Sequence, residues 1–427
     1  MAKATLQQIK KAGIDLGNGY VKANINGLLR VFPSVTVKQF NRDTTPLGPD
    51  DIDFFMKDII NQMDLSFVSP LVKSTERRLF GERALKSGLS VEEYDVFSNV
   101  GKSEVDLSGV LGLGTIAADA LQEHYNNTKM LPEGGVLQVR VDLGTALPIE
   151  ENKGRAKMYQ DLYLNGGASH IVIFHNFEQQ IKVEIIFDYV MVVSEGESAQ
   201  YGLMLAKDEV LEMIRKEAVK RFPNGELDGI TGKDLVNAEN TLGIDIGEGT
   251  IDWVVFSNGK FNPDVSTTTK LGYGSILEET LSLLQAEGYS YRSRKELAEF
   301  LHKQPSAFTK KKWEKINNIN QTQEDRFADS ISGEVSKVLK KVSGFIEVIF
   351  VFGGGATPLE WTLFPKLQVR IAEFGKDNLL PIVYLDSTFS RFLNVQGLYQ
   401  VALRLRPTRK EPSASKEVAA SKESAAN

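Results

Sequence analysis

The chain has 427 residues, 42% of them hydrophobic and 25% charged, with a formal net charge of −6 and no cysteine. This length accommodates two or three domains. The acidic balance argues against direct nucleic-acid binding, and the lack of cysteine excludes disulfides, cysteine-bound zinc and a cysteine nucleophile. The histidines lack metal-ligand spacing, no apolar run could span a membrane, and the N-terminus lacks the apolar core of a secretory signal. We therefore expect a cytoplasmic protein without membrane contact.

The first predicted element is a β-meander around a glycine-rich turn. The stretch GIDLGNG at 13–19 lies between apolar runs, and Asn26-Gly27 separates the second run from a third. Asn-Gly in this setting is a strong hairpin signal. The pattern therefore predicts strand, glycine turn, strand, tight turn and strand.

The next part of the chain alternates between strands and helices. Helical spacing predicts helices at 52–63, 109–125 and 198–221. Apolar runs predict strands at 67–72, 78–81 and 135–149, and about three strands within 168–195. The stretch FPNGELDG at 222–229 interrupts the helical pattern and is a candidate hinge.

The opening meander is repeated in the second half. GIDIGEG at 243–249 matches GIDLGNG at five of seven positions, and Asn258-Gly259 occupies the place of the first Asn-Gly turn. The repeat covers a whole meander, and its two copies are too far apart for a solenoid. It indicates two related halves of one structure.

The remainder is mainly helical. We predict helices at 275–288 and 294–303, two more within 309–345, and a closing helix at 394–405. A very apolar strand at 346–352 runs into three glycines before another helix, and a late strand lies at 381–385. Residues 406–427 have no apolar face and are predicted to be disordered.

The two glycine turns suit phosphate binding. Neither turn has the lysine of a P-loop, and neither is followed directly by the helix of a Rossmann loop. Two such turns could instead grip a polyphosphate from both sides with their backbone N–H groups. Asp15 and Asp245 would repel phosphate unless a cation such as Mg²⁺ lay between them. Lys22 can neutralise phosphate, whereas Asp252 takes its place in the second copy.

The two turns and the triple glycine, in this order, resemble the actin superfamily of ATPases, and ParM-type plasmid-segregation actins in particular. The resemblance spans about residues 10–405. It includes LGIDIGEGTIDWVVFSNGK, EVSKVLKKVSGFIEVIFVFGGGA and NVQGLYQVAL, and it likens LPIEENKGRAKMYQDLYLNGG at 147–167 to a strand followed by a hairpin. The implied phosphate loops are 15–22 and 245–252, and the implied adenosine loop is 353–356.

The resemblance implies an α/β, actin-like ATPase fold with the nucleotide in a cleft between two related domains. Each domain would have a mixed central sheet with flanking helices. The first would comprise 1–237, with 390–405 returning to it, and the second 238–389, followed by the tail at 406–427. Residues 36–110 carry little that can be matched to the family.

The resemblance also implies the site residues. Glu195 or Glu197 would position the attacking water; Glu195 directly follows a predicted strand and is preferred, but the register stays open. Asp15 and Asp245 would hold Mg²⁺, and Glu278 or Glu279 would contact adenosine. The nucleotide, ATP or GTP, would be bound by Asp15, Gly17, Asn18, Gly19, Tyr20, Lys22, Asp245, Gly247, Glu248, Gly249, Thr250, Glu278, Glu279, Gly353, Gly354, Gly355 and Ala356.

The function implied is a filament that assembles with ATP or GTP, hydrolyses it, and moves plasmid DNA through a DNA-binding adaptor of the ParR type. Subunits would contact one another head to tail in a helical filament and would not touch DNA themselves. The alternatives are a monomeric sugar or acetate kinase, for which Asp142 is the candidate activating carboxylate, a chaperone-type ATPase, and a cell-shape type of bacterial actin.

Overall fold

The computed structural model describes residues 9–40, 45–95, 100–291, 294–374, 379–385 and 387–406. The predicted tail falls outside these ranges except for Arg406. No helix within the described ranges is both long and apolar enough to cross a lipid bilayer. Two β-sheets with flanking helices form the framework of the described chain.

The first sheet has ten strands within the described residues and mixes parallel with antiparallel pairs. Its strands are β1 Lys10–Leu16, β2 Tyr20–Ile25, β3 Leu28–Pro33, β4 Thr36–Gln39, β5 Asp64–Val68, β6 Arg77–Phe80, β7 Val91–Glu92, β8 Val136–Leu147, β9 His170–Phe174 and β10 Ile181–Ser194. Their order is β3-β2-β1-β8-β10-β9-β5-β6-β4-β7. The central β1, β8 and β10 run parallel, and β1 is largely buried on both faces, as expected for a central parallel strand.

The second sheet repeats the central part of this plan. Its strands are β11 Thr241–Ile246, β12 Ile251–Ser257, β13 Lys260–Phe261, β14 Thr267–Thr269, β15 Val348–Phe352 and β16 Ile382–Tyr384. The order is β13-β12-β11-β15-β16, with β14 paired to β12. Here β11, β15 and β16 run parallel, while β11 and β12 form an antiparallel hairpin.

The predicted duplication is present in the backbone geometry. Asn26 and Gly27 have φ values of 50° and 89°, and Asn258 and Gly259 have values of 52° and 70°. Positive φ at both central residues is the requirement of a type I′ hairpin turn, which asparagine and glycine meet at low cost. Both predicted meanders are therefore confirmed.

Helices cover both sheets. They are α1 Ile52–Lys57, α2 Gly81–Lys86, α3 Asp106–Thr128, α4 Ile149–Leu164, α5 Glu195–Met204, α6 Asp208–Arg221, α7 Gly232–Val236, α8 Tyr273–Ala286, α9 Arg294–His302, α10 Lys310–Lys341, α11 Ala356–Ala372, α12 Ser387–Ser390 and α13 Leu393–Arg404. Buried side chains of α3 join the core of the first sheet. Those of α10 and α11 join one core of the second sheet, and α5 and α6 contribute to another with β15 and β16.

The closing helix α13 returns to the first sheet. A methyl group on Gly13 of β1 would collide with the backbone of Tyr399, and one on Gly144 of β8 would collide with the carbonyl of Leu398. Glycine on the two strands therefore lets α13 approach the sheet at backbone distance. The same helix contacts α5, so α13 lies beside both the first sheet and the helix that follows β10.

Several helix predictions need correction. The predicted helix at 198–221 is two helices, α5 and α6, because Lys207 is extended and caps the second. The two helices predicted within 309–345 are one helix, α10, of 32 residues. Its only glycine, Gly333, lies in open space, and a single exposed glycine weakens a helix without ending it. The helix predicted at 52–63 divides into α1 and a 3-10 turn at Ile59–Asn61.

Three strand predictions are also wrong. The strand predicted at 67–72 is β5, which ends at Val68, and residues 69–72 form a turn. The region 168–195 contains two strands, because a register shift between Phe187 and Tyr189 lets β10 continue where a break is expected. The hairpin expected after the LP pair within 147–167 is the helix α4. Pro148 ends the strand and caps this helix, whose buried side chains are Ile149, Tyr159 and Tyr163.

Candidate functional site

The first glycine turn connects β1 to β2 and places a carboxylate opposite an ammonium group. Asp15 and Lys22 are paired across the hairpin, and Lys22 Nζ lies 3.1 Å from Asp15 Oδ2. Ser34 donates from its Oγ to the Gly17 carbonyl and from its backbone N–H to the Gly19 carbonyl. Because these carbonyl oxygens are bonded within the protein, the turn can present its N–H groups to an anion.

The second glycine turn connects β11 to β12 and is held by the start of α8. The N–H of Tyr273 donates to the Gly247 carbonyl and that of Gly274 to the Glu248 carbonyl. The turn itself is closed by a 2.9 Å hydrogen bond from the Gly247 N–H to the Thr250 carbonyl. Its shape is therefore fixed by hydrogen bonds to three of its four residues.

The two turns face each other across a cleft. A methyl group on Gly19 would lie 2.8 Å from Glu248 Oε2. The Glu248 side chain of the second turn therefore lies against the backbone of the first turn. The cleft has a volume of about 1250 Å³. Among the predicted site residues, its lining includes Asn18, Gly19, Tyr20, Glu248, Glu278, Gly354 and Gly355.

The triple glycine packs against the end of β11, just before the second turn. The N–H of Gly355 donates to the Ile246 carbonyl at 2.8 Å. Gly353 has a φ of 96°, and a methyl group there would collide with the Asp245 carboxylate and the Ile246 carbonyl. Only glycine fits this position without strain. All three predicted glycine motifs therefore meet at one cleft.

Glu195 and Glu197 have different surroundings. Glu195, the first residue of α5, receives an ion pair from Lys102, whose Nζ lies 2.6 Å from Glu195 Oε1. Glu197 forms the capping box of α5 with Ser194, accepting from its backbone N–H at 3.3 Å, and also accepts from the Tyr201 hydroxyl at 2.6 Å. Glu197 thus stabilises the helix start, whereas Glu195 is ion-paired with Lys102 and lies outside the residues that line the cleft.

Burial and repulsion between carboxylates raise the pKa values of two acidic side chains of the second hairpin. Burial raises the pKa of Asp245 to about 6, with Glu195 and Asp15 adding to the rise and the Asn394 amide opposing it. Burial and the nearby Glu195 also raise the pKa of Asp252, against a hydrogen bond from Thr268. These carboxylates are therefore close enough to disfavour one another's charge.

The Lys102 ammonium group partly offsets this acidity. Burial disfavours its charge, but the Glu195 carboxylate, Tyr94 and Asp15 outweigh burial and raise the pKa of Lys102 above its ordinary value. The direct contacts of this ammonium group are the Glu195 carboxylate at the start of α5 and the Tyr94 ring.

The acidic cluster fits a divalent cation that keeps part of its water shell. Within the described ranges, no three His, Asp or Glu side chains converge as direct ligands. Burial is the largest cause of the raised pKa of Asp245, and the charge of Asp15 adds to it. Mg²⁺ is commonly held by one or two carboxylates together with water and substrate phosphates, so this pair suits Mg²⁺ better than a fully coordinated metal.

The remaining predicted residues lie at varying distances from the cleft. Glu278 is more than half exposed at the cleft wall, with its Oε2 3.6 Å from Arg294 Nε. Glu279 is exposed and is not among the residues that line the cleft. Ala356 is buried at the start of α11. Several other predicted residues are likewise not among the lining residues: Asp15, Gly17, Lys22, Glu195, Glu197, Asp245, Gly247, Gly249, Thr250 and Gly353.

Two site residues could not be found from sequence motifs. Lys102 lies in the stretch 36–110, which offered little to match, and Asn394 begins the NVQGLYQVAL stretch, which was matched only as a closing helix. Asn394 Nδ2 donates to Asp245 Oδ2 at 3.1 Å. Both residues reach the cleft from chain segments far away in sequence, so no local pattern marks them.

Comparison with known proteins agrees with this architecture. Residues 243–364 match the family model for the archaeal actin homologue MreB-like, C-terminal domain. No curated protein sequence matches the chain.

Solved structures match nearly the whole chain. The actin-like protein Alp7A has a TM-score of 0.60 at 17% identity, covering 92% of this chain and 95% of its own. The apo psk41 ParM protein has a TM-score of 0.52 at 18% identity, covering 92% and 97%. Bacillus thuringiensis ParM with ATP has a TM-score of 0.54 at 15% identity, covering 92% and 98%. The chain therefore has the actin-like fold and is similar to ParM-type actin homologues.

Proposed function

We propose that the protein is a nucleotide-dependent, filament-forming actin homologue that hydrolyses ATP and segregates plasmid DNA. The observation that carries this proposal is the meeting of the two glycine turns and the triple glycine at one cleft. Behind the turns, Lys22 is paired with Asp15, Lys102 with Glu195 and Asn394 with Asp245. Bacillus thuringiensis ParM, which has the same fold, has been solved with ADP, ATP and AMPPNP.

In this proposal the two turns bind the phosphates. Backbone N–H groups of both turns surround them, and Lys22 neutralises part of their charge. The nucleoside lies against the bare backbone of Gly354 and Gly355, with Glu278 at the cleft wall. Asp15 and Asp245 would hold Mg²⁺, which when bound would neutralise charge on the phosphates. Residues 1–237 with 390–405 would form one domain and 238–389 the other.

Hydrolysis is assigned to Glu195. Its carboxylate orients a water molecule, whose oxygen forms the new bond to the γ-phosphorus as the bond to the leaving diphosphate breaks. The carboxylate accepts the water's proton. Glu197 is assigned to the cap of α5, because both of its carboxylate oxygens already accept hydrogen bonds there.

Filament assembly and the transport of plasmid DNA complete the proposed function. Subunits associate head to tail, since a contact that does not close on itself generates a helical filament. With a net charge of −6, the filament would reach plasmid DNA through a DNA-binding adaptor of the ParR type. The protein would then act in the cytoplasm, where plasmid DNA lies.

Polymerisation provides the test. The purified protein is mixed with ATP or GTP and Mg²⁺, then followed by light scattering and negative-stain electron microscopy, with EDTA as the control. We expect helical filaments only with nucleotide and Mg²⁺. If neither nucleotide produces filaments across a wide range of protein and salt concentrations, the proposal fails.

The burial of Asp142 argues against a monomeric kinase. That mechanism needs a carboxylate able to reach an acceptor hydroxyl, but Asp142 is fully buried. Its oxygens are engaged by Lys11 at 2.6 Å and by Arg406 at 2.6 and 3.0 Å. Asp142 thus ties the segment after the closing helix to the first sheet.

A further inference from the structure

Lys102 is a second largely buried lysine in the charged cluster, outside the glycine motifs. It opens the 3-10 turn Lys102–Glu104 that precedes α3. Its side chain is only 11% exposed, and its ion-pair partner Glu195 is 13% exposed. A surface lysine would be mobile and hydrated, whereas this one is held inside the protein with its charge directed at the proposed catalytic carboxylate.

The backbone around Lys102 is fixed by one carboxylate from α4. Glu151 accepts from the N–H of Lys102 at 3.0 Å, from the N–H of Ser103 at 2.7 Å and from the Ser103 hydroxyl at 2.5 Å. The Tyr94 ring centroid lies 5.7 Å from Lys102 Nζ, within the range of a cation–π contact. Contacts from three separate chain segments, those of Tyr94, Glu151 and Glu195, therefore fix the position of the Lys102 ammonium group.

Carboxylates outnumber ammonium groups in the cluster around Lys102. Lys22 and Lys102 are the ammonium groups that act on the cluster formed by Asp15, Glu195 and Asp245. Lys22 is paired with Asp15, and Lys102 with Glu195. While Lys102 holds Glu195, that carboxylate has its Oε1 committed to an ion pair and is poorly placed to accept a proton from water.

We propose that Lys102 is a second phosphate-binding lysine that senses the terminal phosphate of a nucleoside triphosphate. Lys102 exchanges Glu195 for this phosphate and so frees the carboxylate to orient water. This inference rests on the proposed nucleotide-binding function. It implies that Lys102 favours a triphosphate over a diphosphate, and that Glu195 competes with the triphosphate for the same ammonium group.

Nucleotide affinity tests the first implication. Lys102→Met removes the charge and keeps the apolar stem; AMPPNP and ADP are titrated by calorimetry. We expect AMPPNP to bind about 10- to 100-fold more weakly, as for the loss of a hydrogen bond to a charged group. ADP affinity should change by less than about 3-fold, since ADP lacks the phosphate that Lys102 would contact. Lys102→Arg should restore most of the AMPPNP affinity.

Lys10→Met is the matched control. Lys10 is buried and ion-paired with Asp119 at 2.7 Å, on β1 but away from the turn. Its loss should leave the ratio of AMPPNP to ADP affinity unchanged. If Lys102→Met lowers both affinities equally, or neither, the inference is wrong.

Competition tests the second implication in folded protein. Glu195→Gln should strengthen AMPPNP binding when Lys102 is present, because the ammonium group loses its competing partner, and should have no such effect in the Lys102→Met background. Equal effects in both backgrounds would overturn the inference. If the wild-type protein binds neither AMPPNP nor ADP, the proposed function fails, whereas normal wild-type binding without these differences rejects only the role of Lys102.

Discussion

Asn394 joins the two sheets at the cleft: its Nδ2 donates to Asp245 Oδ2 at 3.1 Å, and its Oδ1 accepts from the Ser198 hydroxyl at 3.0 Å. Asn394 lies on α13, which packs on the first sheet, while Asp245 ends a strand of the second. Ser198 lies on α5, next to the proposed catalytic carboxylate. One amide therefore connects the second sheet to the helices α5 and α13 beside the first.

Asn394→Ala should lower the free energy of unfolding by about 1–3 kcal/mol, because it leaves the buried Asp245 carboxylate without a donor. Urea denaturation measures this change. Asn318→Ala, at an exposed position of α10, is the control and should alter stability by no more than about 0.5 kcal/mol. Equal free energies of unfolding for the two variants would show that the hydrogen bond from the Asn394 amide contributes little to stability.

Glu195→Ala and Glu197→Ala should separate chemistry from stability. Loss of Glu195 should slow ATP hydrolysis by about 100-fold or more and prolong filament life. Loss of Glu197 should destabilise the protein by about 1 kcal/mol through the capping box and largely spare hydrolysis. Phosphate release and thermal unfolding are measured on both variants. Slow hydrolysis with unchanged stability in Glu197→Ala would transfer the role to Glu197.

Asp245→Asn should weaken Mg²⁺-dependent nucleotide binding by about 10-fold or more, as for other groups that hold a metal through water. ADP affinity is titrated over a range of Mg²⁺ concentrations and in EDTA. The variant should lose the gain in affinity that Mg²⁺ gives the wild-type protein. Asp264→Asn, at an exposed site, should keep that gain. A full Mg²⁺ response in Asp245→Asn would remove this residue from the metal site.

Gly397→Ala should destabilise the protein by about 1–3 kcal/mol. The added methyl group would collide with the Ser198 carbonyl, where α13 crosses α5. Gly154→Ala is the matched control, since Gly154 is an exposed helical glycine with open space around its Cα. There alanine should add about 0.5–1 kcal/mol through helix propensity. The two variants should therefore shift the urea midpoint in opposite directions; a shift in the same direction would contradict the close crossing.

His170 should make the protein less stable in mild acid. The side chain is fully buried and contacts Ser69 Oγ and the Tyr163 carbonyl, and burial lowers the pKa of His170 below its ordinary 6.5. The unfolded chain therefore binds a proton more readily than the folded one. This contribution to stability is fully present above pH 6.5 and declines as the pH falls from there toward the folded-state pKa.

Urea denaturation at several pH values between about 5 and 8 checks this expectation. His170→Gln should lose less stability on acidification than the wild-type protein, whatever its stability at neutral pH. His302→Gln, at an exposed position, should follow the wild-type slope. Identical slopes for wild type and His170→Gln would show that His170 does not contribute.

Short-range features of this protein were predictable from its sequence. The two Asn-Gly turns need only a local preference for positive φ. The glycine turns and the triple glycine could be identified because each is a short glycine-rich stretch directly after an apolar strand. Helix ends were less predictable: α5 and α6 share one continuous helical pattern, but Lys207 interrupts the backbone between them.

The sequence by itself determined the repeated meanders, the actin-like arrangement of the three glycine motifs and the candidate carboxylates, because each depends on residues within a few positions of one another. Only the tertiary structure decided how these carboxylates differ. Glu197 accepts hydrogen bonds at the start of its own helix. Glu195 is ion-paired with Lys102, 93 positions away in the sequence, and Asp245 is hydrogen-bonded to Asn394, 149 positions away. Such pairings arise from the packing of distant segments, and packing depends on the whole chain at once.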